Sequence, residues 1–297
     1  MLRAIDGHVH LYPPEVNRDP AGWAAARGEG HWALLCTRVR NGRPVQSFPD
    51  AEGLLRAMDA AEVEKAILLG WYWERMENCR LQNRFHAECV SRHGDRLAAF
   101  ATIHPSAGLA AVEEELARSR GEGLSGLGEL SPHSQGYGCD DPVLAGALAL
   151  ASEWRWPVNL HAADPEGRPY PGRVATPLGD FILLARRFPS VTFVLAHWGG
   201  LLPIRIAGAD IPGNISYDTA ASPLLYSPEV WGRMIGAAGA ERVIFGSDFP
   251  LNSYPRLDAE PNLPRFAAEA RGALEGAALA AVMRENAERL LSVSGTR

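Results

Sequence analysis

Two histidines two residues apart, His8 and His10, end the first apolar run of the chain, Ala4-Ile5-Asp6-Gly7-His8-Val9-His10. Residues i and i+2 of a strand point to the same side. The two imidazoles would therefore converge, about 6–7 Å apart along the strand. Neutral imidazole is the commonest protein ligand of a divalent metal. A pair of polar strand-end residues would read the same way, but the pattern recurs. His161 follows Val158-Asn159-Leu160, and His197 follows Phe193-Val194-Leu195-Ala196. Asp248 follows Val243-Ile244-Phe245-Gly246-Ser247, and Glu129 follows Gly126-Leu127-Gly128. Each polar group comes directly after an apolar strand. Core packing does not account for six metal-competent groups at strand ends, so the set points to a divalent metal site.

The elements that must position these groups alternate. Short β-branched runs are expected at Arg3–His8, Lys65–Leu69, Leu97–Ile103, Ser125–Glu129, Pro157–His161, Val191–His197, Ile215–Asp218 and Val243–Ser247. From the second onward they start every 24 to 34 residues, close to the roughly 30 residues of a βα unit. Helical stripes lie between them. Leu178, Phe181, Ile182, Ala185 and Phe188 make one, Leu109, Val112 and Leu116 another. Leu279, Val282, Met283, Ala287, Leu290 and Leu291 make a third, within C-terminal helices expected over residues 262–291. The fold class is α/β, a (β/α)8 TIM barrel in a single domain over residues 1–297. An open doubly wound sheet is disfavoured, because no Gly-x-Gly-x-x-Gly follows the first strand. About 50 residues separate His10 from Lys65, and only Ala51–Ala61 there looks helical. The segment 11–50, rich in proline, glycine and tryptophan, reads as a long loop after strand 1 that serves as a lid or a subunit contact.

Composition narrows the function. With a net charge of −6 and a pI near 5.9, the chain has no basic field for nucleic acid. No apolar run reaches the roughly 18 residues of a membrane helix, and the N-terminus lacks a signal-peptide core. The four cysteines, Cys36, Cys79, Cys89 and Cys139, form no Cys-x-x-Cys pair, which fits a reducing cytoplasm rather than a disulfide framework or a thiolate zinc site. Lysine occurs once, as Lys65, at the start of strand 2.

These motifs together resemble the amidohydrolase superfamily. The stretches Leu195-Ala196-His197-Trp198-Gly199-Gly200 and Gly246-Ser247-Asp248-Phe249-Pro250, with the ending Glu285-Asn286-Ala287-Glu288-Arg289-Leu290-Leu291, are similar to its amidohydrolase-related branch. That branch also contains aminocarboxymuconate-semialdehyde decarboxylase-type enzymes. The resemblance implies that His8, His10, His161 and Asp248 hold one divalent metal, with zinc the expected ion. It implies that Asp248 takes a proton from metal-held water, and that His197 bonds the nucleophile or polarises the substrate carbonyl. It leaves Glu129 as a possible ligand of a second metal, with His197 as its partner. A metal bridge through a carboxylated lysine is closed, because Lys65 lies at the other end of its strand.

For the substrate, strand ends and loops supply Trp71, Trp73, Arg75, His104, His133, Trp198 and Asn252. Arg168 or Arg173 could clamp a carboxylate, and Tyr170 and Trp71 could stack on a ring. His31, His86 and His93 read as surface residues. No nucleophile-elbow serine is present. The expected activity is metal-dependent hydrolysis of an amide, lactone or other ester-like bond of a small molecule. The alternative is non-oxidative decarboxylation of a small aromatic or dienoic acid. Hydrolysis is preferred because Glu129 would repel a substrate carboxylate, by about 4 kcal/mol at ~4 Å and an effective dielectric of ~20. A non-catalytic metal-binding protein is disfavoured by the intact ligand set. A second copy of the chain is the expected macromolecular partner, through the tryptophan-bearing loop.

Overall fold

In the computed structural model, residues 2–206, 208, 210–252 and 261–294 are described. Eight parallel strands appear among them where the sequence places them: β1 (Ala4–Val9), β2 (Val63–Leu68), β3 (Leu97–Ala99), β4 (Leu127–Leu130), β5 (Val158–Leu160), β6 (Phe193–Leu195), β7 (Ile215–Asp218) and β8 (Val243–Ile244). Strands β1 to β3 form one parallel sheet and β4 to β8 another. Single parallel bridges join the sheets at both seams, Ala101 with Leu127 and Val9 with Phe249. The architecture is that of a (β/α)8 barrel.

The strands are buried on both faces. Ala4, Val9, Val63, Ala66, Leu68, Leu127, Leu130, Val158, Leu160, Leu195 and Ile215 are fully buried, as expected for parallel strands under an outer layer of helices. The helix Leu178–Arg187 buries Leu178, Phe181, Ile182 and Ala185 from the anticipated stripe and leaves Arg186 and Arg187 in its last turn. That end charge suits the helix dipole. At the C-terminus come the helices Leu263–Ala273, Gly276–Ala280 and Asn286–Ser294; Val282 and Met283, between the last two, are buried, and Phe245 N, just after β8, donates to Val282 O at 2.9 Å.

The segment after β1 departs from the expectation of a loop. It contains three helices, Pro14–Arg18, Pro20–Arg27 and Gly30–Cys36, then a two-stranded hairpin, Val39–Arg40 with Arg43–Pro44. Proline at N1 starts the first two, where its missing N–H costs nothing, and Asp19 caps the second by accepting from Gly22 N. A window this rich in proline and glycine hides helices of five to eight residues, because the breakers sit at their ends. The tryptophans face inward. Trp32 packs edge-on to Tyr12 at 5.3 Å, and Trp23 to Trp73 at 5.2 Å. The tryptophan surface invoked for a subunit contact is therefore inside the fold, and Leu34 and Val39 are the exposed apolar residues of this segment. His86 is likewise buried, not superficial. It lies in the helix Met76–His93 and its ring meets Gln82 Nε2 at 2.8 Å.

Glu29 fastens the segment to the loop after β2. Its buried carboxylate accepts from Glu74 N (2.8 Å), Arg75 N (3.2 Å) and Asn78 Nδ2 (2.5 Å). Removing an acceptor and stranding buried donors costs about 1–3 kcal/mol. Glu29→Ala should therefore lower unfolding free energy by about 1–3 kcal/mol in urea titration. A change below ~0.5 kcal/mol, the level of an ordinary surface substitution, would show that Glu29 does not hold the segment.

Candidate metal centre and its pocket

His8 and His10 stand at the mouth-side end of β1 with their Nε2 atoms 3.1 Å apart. Each ring is fixed by its other nitrogen. His8 Nδ1 donates to Asp218 Oδ2 at 2.9 Å, and His10 Nδ1 donates to the Leu69 carbonyl at 3.1 Å. Two ring nitrogens so placed need a proton or a cation between them. Carboxylates close around the same point. Glu129 Oε2 lies 3.9 Å from His8 Nε2 and 3.6 Å from His10 Nε2. Asp248 Oδ1 lies 3.8 and 3.5 Å from the same atoms.

Glu129 also faces the other way. Its Oε1 accepts from His161 Nδ1 at 2.9 Å and lies 3.8 Å from His197 Nε2. The His197 ring is fixed by Nδ1 donation to the Ala220 carbonyl at 3.1 Å, which leaves Nε2 toward His161 Nδ1 at 3.2 Å. Two triads of donor atoms result, His8–His10–Glu129 and Glu129–His161–His197, each within 4.8 Å. All six sequence-derived groups thus meet at the C-terminal end of the barrel strands, where active sites of this architecture sit. The nitrogen and oxygen donors fit a divalent ion. His8, His10 and Glu129 could hold it, with Asp248 beside both imidazoles and His161 on the other side of Glu129.

The electrostatics follow from burial. Burial opposes a charge on His8, yet the Asp218 carboxylate beside it, helped by Glu129 and Asp248, holds its pKa up to about 10. Asp218, buried as well, is kept below its ordinary value by His8. Burial, then the His8 charge, pushes His10 well down, and burial lowers His161 to about 4 and depresses His197. Burial raises Glu129 to about 7 and raises Asp248. A divalent cation would take the place of the proton that these carboxylates hold on His8.

Asp218, at the end of β7, went unremarked in the sequence although it also follows an apolar run. It touches four groups: His8 Nδ1, Asn159 Nδ2 (3.0 Å), His197 N (3.0 Å) and Ala220 N (3.0 Å). The backbone near it is unusual. His197, Trp198, Gly199, Gly200 and Leu201 all have φ between 55° and 63°, a left-handed turn that costs an ordinary residue about 1–2 kcal/mol. At Gly199 a Cβ would come within 2.6 Å of the Tyr217 ring. Trp198 holds the turn through Nε1 donation to Ser222 Oγ at 2.8 Å and edge contact with Trp231 at 4.9 Å.

A cavity of about 480 Å³ opens above these groups. Trp71, Tyr170 and Arg168 line it, as the sequence suggests, and so do Arg173 and Tyr72. Arg38, Arg40 and Gln46 reach it from the segment after β1; no spacing in the sequence brings that segment to the mouth. Arg38 carries a buried Nε with no hydrogen-bond partner. Other candidates lie elsewhere. Trp73 and Trp198 are core residues, Asn252 pins Pro44 O and Ser47 Oγ, His104 bonds the Gln135 carbonyl, and Arg75 is exposed. Lys65 extends to the Gly94 carbonyl at 3.4 Å, at the opposite end of β2 from the mouth.

The fold and the strand-end set define the class, and the sequence comparison agrees: the amidohydrolase family model (Amidohydro_2) matches residues 5–293. The chain belongs to that family. Among solved structures it is similar to a 2,6-dihydroxybenzoate decarboxylase complexed with 2,6-dihydroxybenzoate, at 20% identity over 98% of this chain and 100% of that one, TM-score 0.70. It is also similar to 5-carboxyvanillate decarboxylase from Sphingomonas paucimobilis, at 18% identity over 98% and 99%, TM-score 0.71. The 5-carboxyvanillate decarboxylase from Novosphingobium aromaticivorans, complexed with manganese and 4-hydroxy-3-methoxy-5-nitrobenzoic acid, matches at 15% identity over 97% and 96%, TM-score 0.72. No curated protein sequence matches the chain. Among the described residues, no helix is long and apolar enough to cross a membrane.

Two variants test the centre. His8→Ala with His10→Ala should abolish bound divalent metal, read by plasma mass spectrometry after dialysis, while circular dichroism stays that of the wild type. Asp218→Asn should weaken metal affinity by about 10–100-fold, because an amide no longer fixes His8 through a carboxylate. Metal content unchanged in the double variant would refute the centre.

Proposed function

We propose that this protein is a metal-dependent, non-oxidative decarboxylase of a small aromatic carboxylic acid. The observation that carries this reading is the make-up of the cavity wall. Trp71, Tyr72 and Tyr170 offer flat apolar faces, and Arg38, Arg40, Arg168 and Arg173 surround the mouth above Glu129 and Asp248. Four guanidinium groups around one cavity favour an anionic substrate, and planar walls favour a ring. The decarboxylases similar in fold support the same substrate class. The repulsion expected from Glu129 is offset, since that carboxylate is engaged by His161 and faces His8 and His10.

The bound ion, which we take to be zinc from the imidazole-rich set, would supply a Lewis acid for an oxygen of the substrate. The residues do the rest. Trp71 and Tyr170 hold the ring, and Arg168 fixes an anionic substituent. Asp248, within 3.5 to 4.0 Å of His10, His8 and His197, carries a proton to the ring carbon that bears the carboxylate, with His197 orienting it. The carbon–carboxylate bond then breaks, its electron pair returns to the ring, and carbon dioxide leaves. One proton enters the product for each carbon dioxide released. The four free cysteines support a reducing compartment, which we take to be the cytoplasm.

The test is a panel of hydroxybenzoic and dienoic acids, lactones and amides, run in ²H- and ¹⁸O-labelled water. The expected result is carbon dioxide release with one deuterium on the vacated ring carbon. Entry of ¹⁸O into a product carboxyl from a lactone or amide, with no carbon dioxide, would establish hydrolysis instead. Asp248→Asn should lower turnover by at least ~10² with the fold intact.

A further inference from the structure

His133, Cys139 and Asp180 come together outside the barrel mouth, with a donor atom of each within 4.8 Å of the others. His133 lies in the short helix Pro132–Gln135 after β4, Cys139 in the loop that follows, and Asp180 in the first turn of Leu178–Arg187 after β5. None of the three ends a strand, so the spacing that reveals the mouth does not reveal them. His133 Nε2 and Asp180 Oδ2 are 3.0 Å apart. The His133 ring is set edge-on against the buried Phe181 at 6.2 Å. All three residues are partly buried, and none is fully exposed.

We infer that His133, Cys139 and Asp180 form a second, peripheral site for a zinc-type divalent ion. One imidazole, one thiolate and one carboxylate make a mixed borderline set, which selects zinc or cobalt over calcium or magnesium. Zinc–ligand bonds of about 2.0–2.3 Å place tetrahedral donors roughly 3.3–3.7 Å apart. The His133–Asp180 pair is already near that spacing, and the loop carrying Cys139, next to Gly138, supplies the remaining approach. Three protein donors leave a fourth position for water. On binding, the ion replaces the thiol proton of Cys139, which is released, while the ring proton of His133 stays on the nitrogen that does not face the ion, so one proton is released. The site would tie the loop after β4 to the helix after β5. The helix that carries His133 also supplies Gln135, whose Nε2 donates to the Trp73 and Ile103 carbonyls at 3.0 and 3.1 Å. The ion would therefore brace the rim of the barrel just past the strand that carries Glu129.

Cobalt(II) added to the metal-loaded protein is the probe, because a thiolate–cobalt bond gives a near-ultraviolet charge-transfer band that nitrogen and oxygen ligands do not. The expected result is such a band saturating at one further equivalent. Cys139→Ser should abolish it, His133→Ala and Asp180→Asn should each weaken cobalt binding at least ~10-fold, and His8→Ala should leave it in place. Zinc should slow alkylation of Cys139 at least ~10-fold in the wild type and not in His133→Ala. Absence of the band in wild type would overturn the site. So would a band that survives Cys139→Ser, or one indifferent to both His133→Ala and Asp180→Asn, which would mean adventitious binding to a lone thiol.

Discussion

Four hydrogen bonds converge on the carboxylate of Asp218, and the mouth of the barrel is arranged around them. One oxygen holds His8 Nδ1 and Asn159 Nδ2, and the other holds the backbone N–H groups of His197 and Ala220. A single buried anion thereby ties together the ends of β1, β5, β6 and β7. Its charge is sustainable because every lone pair has a donor. The consequence for the site is directional. His8 must present Nε2 to the mouth, and the left-handed turn that begins at His197 is anchored at its first N–H. Asp6 plays a related part on the other side, accepting from Ser247 N at 3.0 Å and bonding Ser247 Oγ, next to Asp248.

Much of this was legible in the sequence because a barrel converts order along the chain into position around a ring. The eight apolar runs became β1 to β8, and a polar residue directly after such a run is necessarily near the mouth. His8, Glu129, His161, His197 and Asp248 follow from that rule. Asp218 obeys it too, but a strand-end carboxylate reads as a ligand or as nothing until its partners are visible. The segment after β1 was not legible for another reason. Its helices are stabilised by aromatic contacts with Trp73 and by the hold of Glu29 on residues 74 to 78, all distant in sequence. Local propensity there is weak, and tertiary contact decides. His86 was misplaced on similar grounds, since a polar residue on a charged helix looks solvated until Gln82 and Phe100 are seen around it.

The arginines of the cavity illustrate how charge is distributed between scaffold and excursion. The strand ends contribute histidines and carboxylates, whose positions are set within the rigid barrel. Positive charge comes from elsewhere: Arg38 and Arg40 from the hairpin segment, Arg168 and Arg173 from the loop after β5. Arg173 is itself held by the Asp164 carbonyl, and Asp164 is paired with Arg205 at 3.0 Å. The metal-competent groups thus sit on the barrel strands and the positive charge of the cavity on the loops and the excursion, a division common to barrels of this kind.

The single lysine has a further consequence. Lys65 sits at the far end of the barrel from the cavity, with its ammonium on the Gly94 carbonyl, and among the described residues the long basic side chains lining the mouth are arginines. Guanidinium groups do not condense with aldehydes or ketones under the mild conditions in which amines form imines. A substrate or product bearing a reactive carbonyl can therefore occupy the cavity beside four positive charges without being trapped covalently on the protein. The same asymmetry makes Lys65 a natural handle: coupling through its amine would attach the molecule to a surface by the base of the barrel and leave the mouth facing solution.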